Sequence, residues 1–253
     1  MVARFQGRNP RAEQWLLTQS STLITRITND TRDGVRFVLQ EGMRLGRGPR
    51  SVALDIVGRM DRAAGRRVGG LVGLTPGDVA SSQRALGQLT SGDPAEMAKY
   101  LRRKLRDKRF DATVARAIRE GKPVPADRAR KIVGRYQDRL LYRRGETIAR
   151  TELLQSLHHA QDEGLRQLVD DGKLNAGQIT REWDASEDSD TRDSHRHMDG
   201  QSVGLNEPFT SGNGALMMHP GDSSLGAGPE EIINCRCIVR PKIDFIAGLK
   251  PGD

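Results

Sequence analysis

Between Asp127 and about Asp171 the sequence carries a helical repeat uninterrupted by proline. Ile132, Val133, Tyr136, Leu140, Leu141, Ile148, Leu154, Leu157, Leu165 and Leu168 recur at steps that keep them on one side of a helix. The pattern predicts one long connecting helix over 126–172, and every other part of the chain has to be arranged before or after it. Gly145 is the candidate bend. The helix also contains a change of charge. Residues 1–150 hold 32 Lys and Arg against 15 Asp and Glu, whereas residues 151–253 hold 9 against 18. Two regions with different partners are expected, the basic one suited to nucleic acid or to an acidic protein surface.

Before the long helix, Leu16, Leu23, Ile24, Ile27, Val35, Val38 and Leu39 form an apolar helical stripe. A short second helix is expected from Ser51 to Arg59. Arg59 to Leu74 is rich in glycine and reads as a flexible connection. Thr75-Pro76 and Asp93-Pro94 each set a capping side chain before a proline, which marks a helix start. The second of these helices is expected to carry Met97, Tyr100, Leu101 and Leu105 on one face. Arg102, Arg103, Lys104, Arg106, Lys108 and Arg109 would form the other, a candidate contact for phosphates or for a partner's acidic ring. The plainer reading of that cluster is a solvated helix face.

After Gly172 the character changes. Ile179 to Trp183, Gln201 to Leu205 and Ile232 to Pro241 read as strands separated by polar, Gly- and Pro-rich loops. The expected fold class is α+β, with a mainly helical N-terminal region followed by a small α+β C-terminal domain. The expected division is a basic helical region at 1–125, the connecting helix at 126–172 and an acidic α+β domain at 173–253. Only 36% of the 253 residues are hydrophobic and 4% aromatic, against 29% charged, which favours a helical, well-solvated, elongated protein over a compact enzyme. No apolar run is long enough for a transmembrane helix. Met1 to Pro10 has no apolar segment of the secretory kind.

The two cysteines, Cys235 and Cys237, are one residue apart, where a disulfide would be strained, so reduced thiols are expected. With His195 they are the candidate metal ligands, since thiolate and imidazole suit Zn²⁺. His197, His219, Asp199 or a water are candidates for the fourth position. The alternative is that the cysteines are small buried side chains and that His195 bonds a backbone carbonyl. Arg192, beside Asp190, is expected to pair with a carboxylate, Glu152 or Asp199, and so lock loops that have little apolar content. An acid–base site built from Glu152, Asp190, Arg192 and His195 is the catalytic alternative, and no nucleophile or cofactor motif accompanies it.

These residues belong to an ordered series. Ala149-Arg150-Thr151-Glu152 comes first, then Trp183-Asp184, Asp190-Thr191-Arg192-Asp193-Ser194-His195 and Met198-Asp199-Gly200. Phe209, His219-Pro220-Gly221 and Asn234-Cys235-Arg236-Cys237 follow. In order and spacing the series resembles the phage Mu protein F-like family of phage head morphogenesis, or minor head, proteins over roughly residues 130–243. The resemblance implies a non-enzymatic minor capsid protein of a tailed bacteriophage. It would sit in the head interior at the portal vertex, bound to the portal protein, after assembly in the host cytoplasm. It further implies roles in head assembly, DNA packaging or DNA delivery, with packaged DNA, scaffolding protein or major capsid protein as further partners and no membrane. The competing readings are a metal-dependent hydrolase or toxin-like enzyme domain using His195 and Cys235/Cys237, and a sequence-indifferent DNA-binding protein.

Overall fold

The computed structural model describes residues 29–63 and 66–245. Leu16, Leu23, Ile24 and Ile27 of the N-terminal stripe lie outside the described residues. Val35 and Leu39, from the same stripe, are fully buried on α1 (Asn29–Arg44). The fold is α+β, with helices first and small antiparallel sheets after them. The chain divides into two compact units, one of Ala53–Glu146 and one of Met1–Val52 with Thr147–Asp253. No helix among the described residues is long and apolar enough to cross a membrane.

In the Ala53–Glu146 unit, helix α2 (Pro49–Val57) runs into a hairpin of β1 (Arg59–Asp61) and β2 (Arg66–Val68), with Met60 opposite Arg67. The glycine-rich stretch, read from composition as a flexible connection, thus contains a paired hairpin in its described part. Its glycines permit close backbone packing: a Cβ on Gly58 would lie 2.5 Å from the Val68 carbonyl oxygen. Arg67 fastens the hairpin, donating to Asp138 at 2.6 Å and to the Gly58 carbonyl at 2.7 Å. Helices α3 (Pro76–Thr90) and α4 (Pro94–Leu101) start where the Thr-Pro and Asp-Pro signals place them. Thr75 accepts from the Asp78 amide and the Asp78 carboxylate accepts from the Thr75 amide, a reciprocal cap. Asp93 accepts from the Ala95 amide. Leu89, Met97, Tyr100, Val114, Ile132 and Tyr136 form the centre of the core, to which α5 (Asp111–Glu120) contributes Val114.

Helix α6 (Ala126–Asp170) is a single helix of 45 residues. Gly145 does not interrupt it and serves packing instead. A Cβ there would meet Val57 Cγ1 at 2.4 Å and the Ala53 carbonyl oxygen at 3.1 Å. Gly145→Ala should therefore destabilise the Ala53–Glu146 unit by about 1–2 kcal/mol, the overpacking penalty outweighing the gain in helix propensity. Val57→Ala in the same chain should recover most of that loss. Urea midpoints of the single and double variants measure this, and an unshifted Gly145→Ala midpoint would remove the packing role.

In the second unit, β3 (Ile179–Asp184) is the central strand of a three-stranded antiparallel sheet, between β4 (Ser202–Gly204) and β7 (Ile238–Ile243). Ile179, Arg181 and Trp183 alternate inward along it. Two shorter strands, β5 (Phe209–Thr210) and β6 (Leu216–Met217), pair separately. Single helical turns α7 (Asp193–Arg196) and α8 (Pro229–Ile232) complete the unit. The expected strand from Ile232 begins later than its composition suggests. Ile232 closes α8, Asn234 takes a left-handed φ of 57°, and extended pairing starts only at Ile238. Trp183, Met198, Phe209, Met217 and Ile232 fill the core together with both cysteines. The surface that α6 buries in this unit is mixed, with Ile148, Leu153 and Leu165 beside many polar groups. Thr151, Glu152, Gln155, Ser156 and His158 are buried, whereas Leu157, expected to point inward, is exposed.

Candidate metal centre

His195 lies on α7, where Arg192 precedes the turn and its backbone carbonyl accepts from the His195 and Arg196 amides. Cys235 and Cys237 lie in the segment between α8 and β7, not on the strand itself. That segment is fixed from two sides. Arg192 donates to the Ile233 carbonyl, and the Asn234 amide donates to Thr151 Oγ1 on α6 at 3.0 Å. The left-handed turn at Asn234 then directs both sulfurs towards His195. His195 Nδ1 is 3.5 Å from Cys235 Sγ and 3.5 Å from Cys237 Sγ. The three side chains are buried, and their ligand atoms lie within 4.8 Å of one another.

This donor set fits a soft divalent ion. Metal–sulfur and metal–nitrogen bonds of ordinary length at tetrahedral angles put neighbouring N and S ligand atoms about 3.5 Å apart, the separation seen here. The electrostatics agree. The Cys237 thiol is held well below its usual value by a hydrogen bond from Cys235 and by His195, against the upward pull of burial. The Cys235 thiol is pushed up by Cys237 and by burial. The pair thus readily carries one negative charge, and a divalent cation would stabilise a second.

The other fourth-ligand candidates are elsewhere. His197 is exposed, and Asp199 accepts from the Ala185 amide at 2.8 Å. His219 is buried beside His158 and His159, with ring centroids 6.5 and 5.7 Å away. None of the three belongs to the His195–Cys235–Cys237 group among the described residues. Trp183 packs edge-on against His195 at 5.5 Å, so it supports the site as core. Gly200 donates to the Trp183 carbonyl at 2.9 Å. Glu152 and Arg150 lie on α6, Glu152 buried and Arg150 partly exposed. Among the described residues Arg192 donates to the Ile233 carbonyl, and it pairs with neither Glu152 nor Asp199, the carboxylates expected for it. Asp190 is exposed, 4.0 Å from Arg236, and it is Asp188 that organises the loop, accepting from Thr191 and Arg236.

Two charged residues that the sequence reading passed over are central. Glu231, on α8 and 2% exposed, lies with Oε2 2.9 Å from His195 Nε2. Arg181, on β3 and 1% exposed, pairs with Asp162 at 2.7 Å and donates to the carbonyls of Met218, Gly204 and Glu207.

The basic segment in the other unit is less free than its composition implies. Helix α4 stops at Leu101, and Lys108–Phe110 is a separate turn of 3-10 helix capped by Asp107, so the six cations do not share one helix face. Arg103 donates to Gln88, Ser81 and Tyr136. Arg106 forms a bidentate pair with Asp111, and Arg109 pairs with the buried Asp107. Arg102, Lys104 and Lys108 are exposed.

The three clustered histidines set an acid limit on the C-terminal unit. Burial lowers the affinity of His158 for a proton to a pKa of about 4. Burial likewise lowers His219, and burial followed by the neighbouring His219 lowers His159. An imidazole with a depressed folded pKa contributes stability that is complete above about pH 6.5 and is lost as the pH falls towards the folded value. Stability, read from unfolding midpoints, should therefore fall as the pH drops below about 6.5, with His158, whose folded pKa is about 4, contributing at most about 1.4 kcal/mol per pH unit down to that value. His219→Gln should flatten this slope. A profile identical to wild type would contradict that assignment.

Comparison with known proteins gives one finding. The family model described as "Phage Mu protein F like protein" matches residues 108–240. That span contains all of α6, the three-stranded sheet up to Arg240 of β7, and the whole His195–Cys235–Cys237 group. No curated protein and no solved structure matches the chain.

Proposed function

This chain belongs to the phage Mu protein F-like family, and on that premise we propose that it is a minor head protein of a tailed bacteriophage, bound near the portal vertex. Its place would be the head interior, after assembly in the host cytoplasm, and its task head assembly, DNA packaging or DNA delivery. The portal protein is the primary partner in this reading, with packaged DNA, scaffolding or major capsid protein as further contacts. The observation that carries the proposal is the family match over 108–240, which takes in the motif series.

The division of labour we propose follows the charge. Residues 1–125, with the exposed Arg102, Lys104 and Lys108, supply the contact surface. Residues 126–172 connect, and residues 173–253 form an acidic module tied to the C-terminal part of α6 through Thr151 and Asp162. We read the module as structural and not catalytic, because Cys235 and Cys237 are core residues and His195 is buried against Trp183. Zn²⁺ is the ion we assign to them, given two sulfur donors and one imidazole. The motif residues Thr151, Asn234, Arg192, Asp199 and Gly200 then hold the loops around it, each through a backbone hydrogen bond.

Co-expression with the cognate portal protein tests the assignment. The two proteins should co-purify, and reversing the charges of Arg102, Lys104 and Lys108 to Glu should weaken the complex. Failure of the wild-type protein to associate with the portal would remove the portal role.

A further inference from the structure

Glu231 is a buried acidic residue with an unusual set of neighbours. Its Oε1 accepts from Asn213 Nδ2 at 2.9 Å, and its Oε2 accepts from Ser194 Oγ at 3.0 Å. Both donors are neutral. A carboxylate taken out of water needs a compensating positive charge as well as hydrogen bonds. The ion-pair partner of Glu231 among the described residues is His195, whose Nε2 lies 2.9 Å away. The contact is close but off the in-line N–H direction, and His195 Nε2 has no hydrogen-bond partner among the described residues. The imidazole therefore has its two nitrogens turned to two different environments. Nδ1 faces the two sulfurs at 3.5 Å, and Nε2 faces a carboxylate fixed by α7 and by the β5–β6 turn.

We infer that Glu231 is the positioning residue of the metal centre, the carboxylate that fixes His195 as an Nδ1 ligand by accepting a hydrogen bond from Nε2–H. The inference rests on the metal reading above and adds to it the residue that selects the ligating nitrogen. A cation on Nδ1 draws electron density from the ring and makes Nε2–H a stronger donor, so that metal and carboxylate reinforce each other through the imidazole. The same coupling turns a polarised Nε2–H towards Glu231, beside the neutral donors Ser194 and Asn213. A carboxylate that merely tied α7, α8 and the β5–β6 turn together would stabilise the fold equally with and without metal. A positioning carboxylate changes the affinity for the metal itself.

The full-length chain, stripped of metal and titrated with Zn²⁺ against a chromophoric chelator, separates these roles. Glu231→Gln keeps the shape and the Asn213 contact but removes the charge. It is expected to weaken Zn²⁺ binding by about 10–100-fold and to shrink the metal-induced rise in the melting midpoint. Asn213→Ala, which removes only the Oε1 contact, should leave the affinity close to wild type. Nitrogen-15 NMR of the imidazole in the wild-type Zn²⁺ protein needs no variant. It should show Nδ1 as the metal-bound nitrogen and an exchange-protected proton on Nε2. Ligation through Nε2, or Glu231→Gln binding within twofold of wild type, overturns the role of Glu231 while the metal centre stands. A wild-type chain that binds neither Zn²⁺ nor Co²⁺ with unit stoichiometry removes both readings.

Discussion

Arg181→Met should destabilise the C-terminal unit by about 3–5 kcal/mol, the range for breaking a buried charged pair from one side. Methionine keeps much of the length and fills the space, so the loss is not chiefly one of packing. It strands the partners. Asp162 is buried, and after the substitution Arg166, at 3.0 Å, is the cation left to it. The carbonyls of Met218, Gly204 and Glu207 lose charged donors at 2.7, 3.1 and 2.6 Å. Those three carbonyls come from the β4 strand and the loops beside β5 and β6, so Arg181 ties an edge strand and two loops to the central strand. Asp162→Asn also removes the carboxylate facing the buried Arg181 guanidinium, but it should cost less, because an amide oxygen and three backbone carbonyls still accept from that guanidinium. Combining the two variants should cost less than the sum of the singles, a coupling that urea unfolding of all four proteins can read. A loss of under about 1 kcal/mol for Arg181→Met would mean that water replaces the guanidinium at little cost, and the account of the loops would fail with it.

The second large effect concerns the sulfurs. Replacing Cys235 and Cys237 together by serine should abolish stoichiometric Zn²⁺ binding and with it the dependence of unfolding on added metal. At free Zn²⁺ a hundredfold above the dissociation constant, metal linkage stabilises the folded state by about 2.7 kcal/mol, and the wild-type midpoint should rise accordingly. The double variant should show no such rise. It should also melt below the metal-free wild type, because two core positions now hold hydroxyls without their sulfur contacts. Elemental analysis together with melting curves, with and without chelator, gives both results at once. A wild-type midpoint indifferent to Zn²⁺ and to chelator would leave the cysteines as core residues only.

Much of the site could be read from the chain, and what could not has identifiable causes. His195 and the two cysteines attract notice by chemistry alone, since few residue types bind soft metals, and the structure brings them together although 40 residues separate His195 from Cys235. Glu231 gives no such signal. It follows Glu230 at the start of a short helical turn, where acidic residues are common for local reasons. Only the tertiary contact with His195 distinguishes it. Arg181 was readable in principle, because it falls in phase with Ile179 and Trp183 along a strand whose alternate residues face inward. A charged residue in that register asks for buried partners. The expected carboxylate for Arg192 failed for the opposite reason: a backbone carbonyl carries no mark in the sequence.

Local rules also explain the differences in secondary structure. The caps at Thr75 and Asp93 are short-range chemistry and fall where the dipeptides place them. The hairpin at β1 and β2 lacks an apolar alternation and is held by Arg67 reaching Asp138, 71 residues away. Helix α4 ends at Leu101 although Leu105 continues its apolar period. The chain beyond is diverted by Asp107, which caps the next turn and draws in Arg109. Leu157 is exposed because it lies well round the helix from Thr151, Gln155, His158 and Asp162, which face inward.

The central claim is that this protein works as a built-in part of a phage head. Quantitative mass spectrometry of purified particles, with the portal protein as internal standard, tests it most directly. The account predicts that the protein is retained in mature heads in a small, fixed ratio to the portal. Particles that are filled, infectious and free of the protein would contradict it.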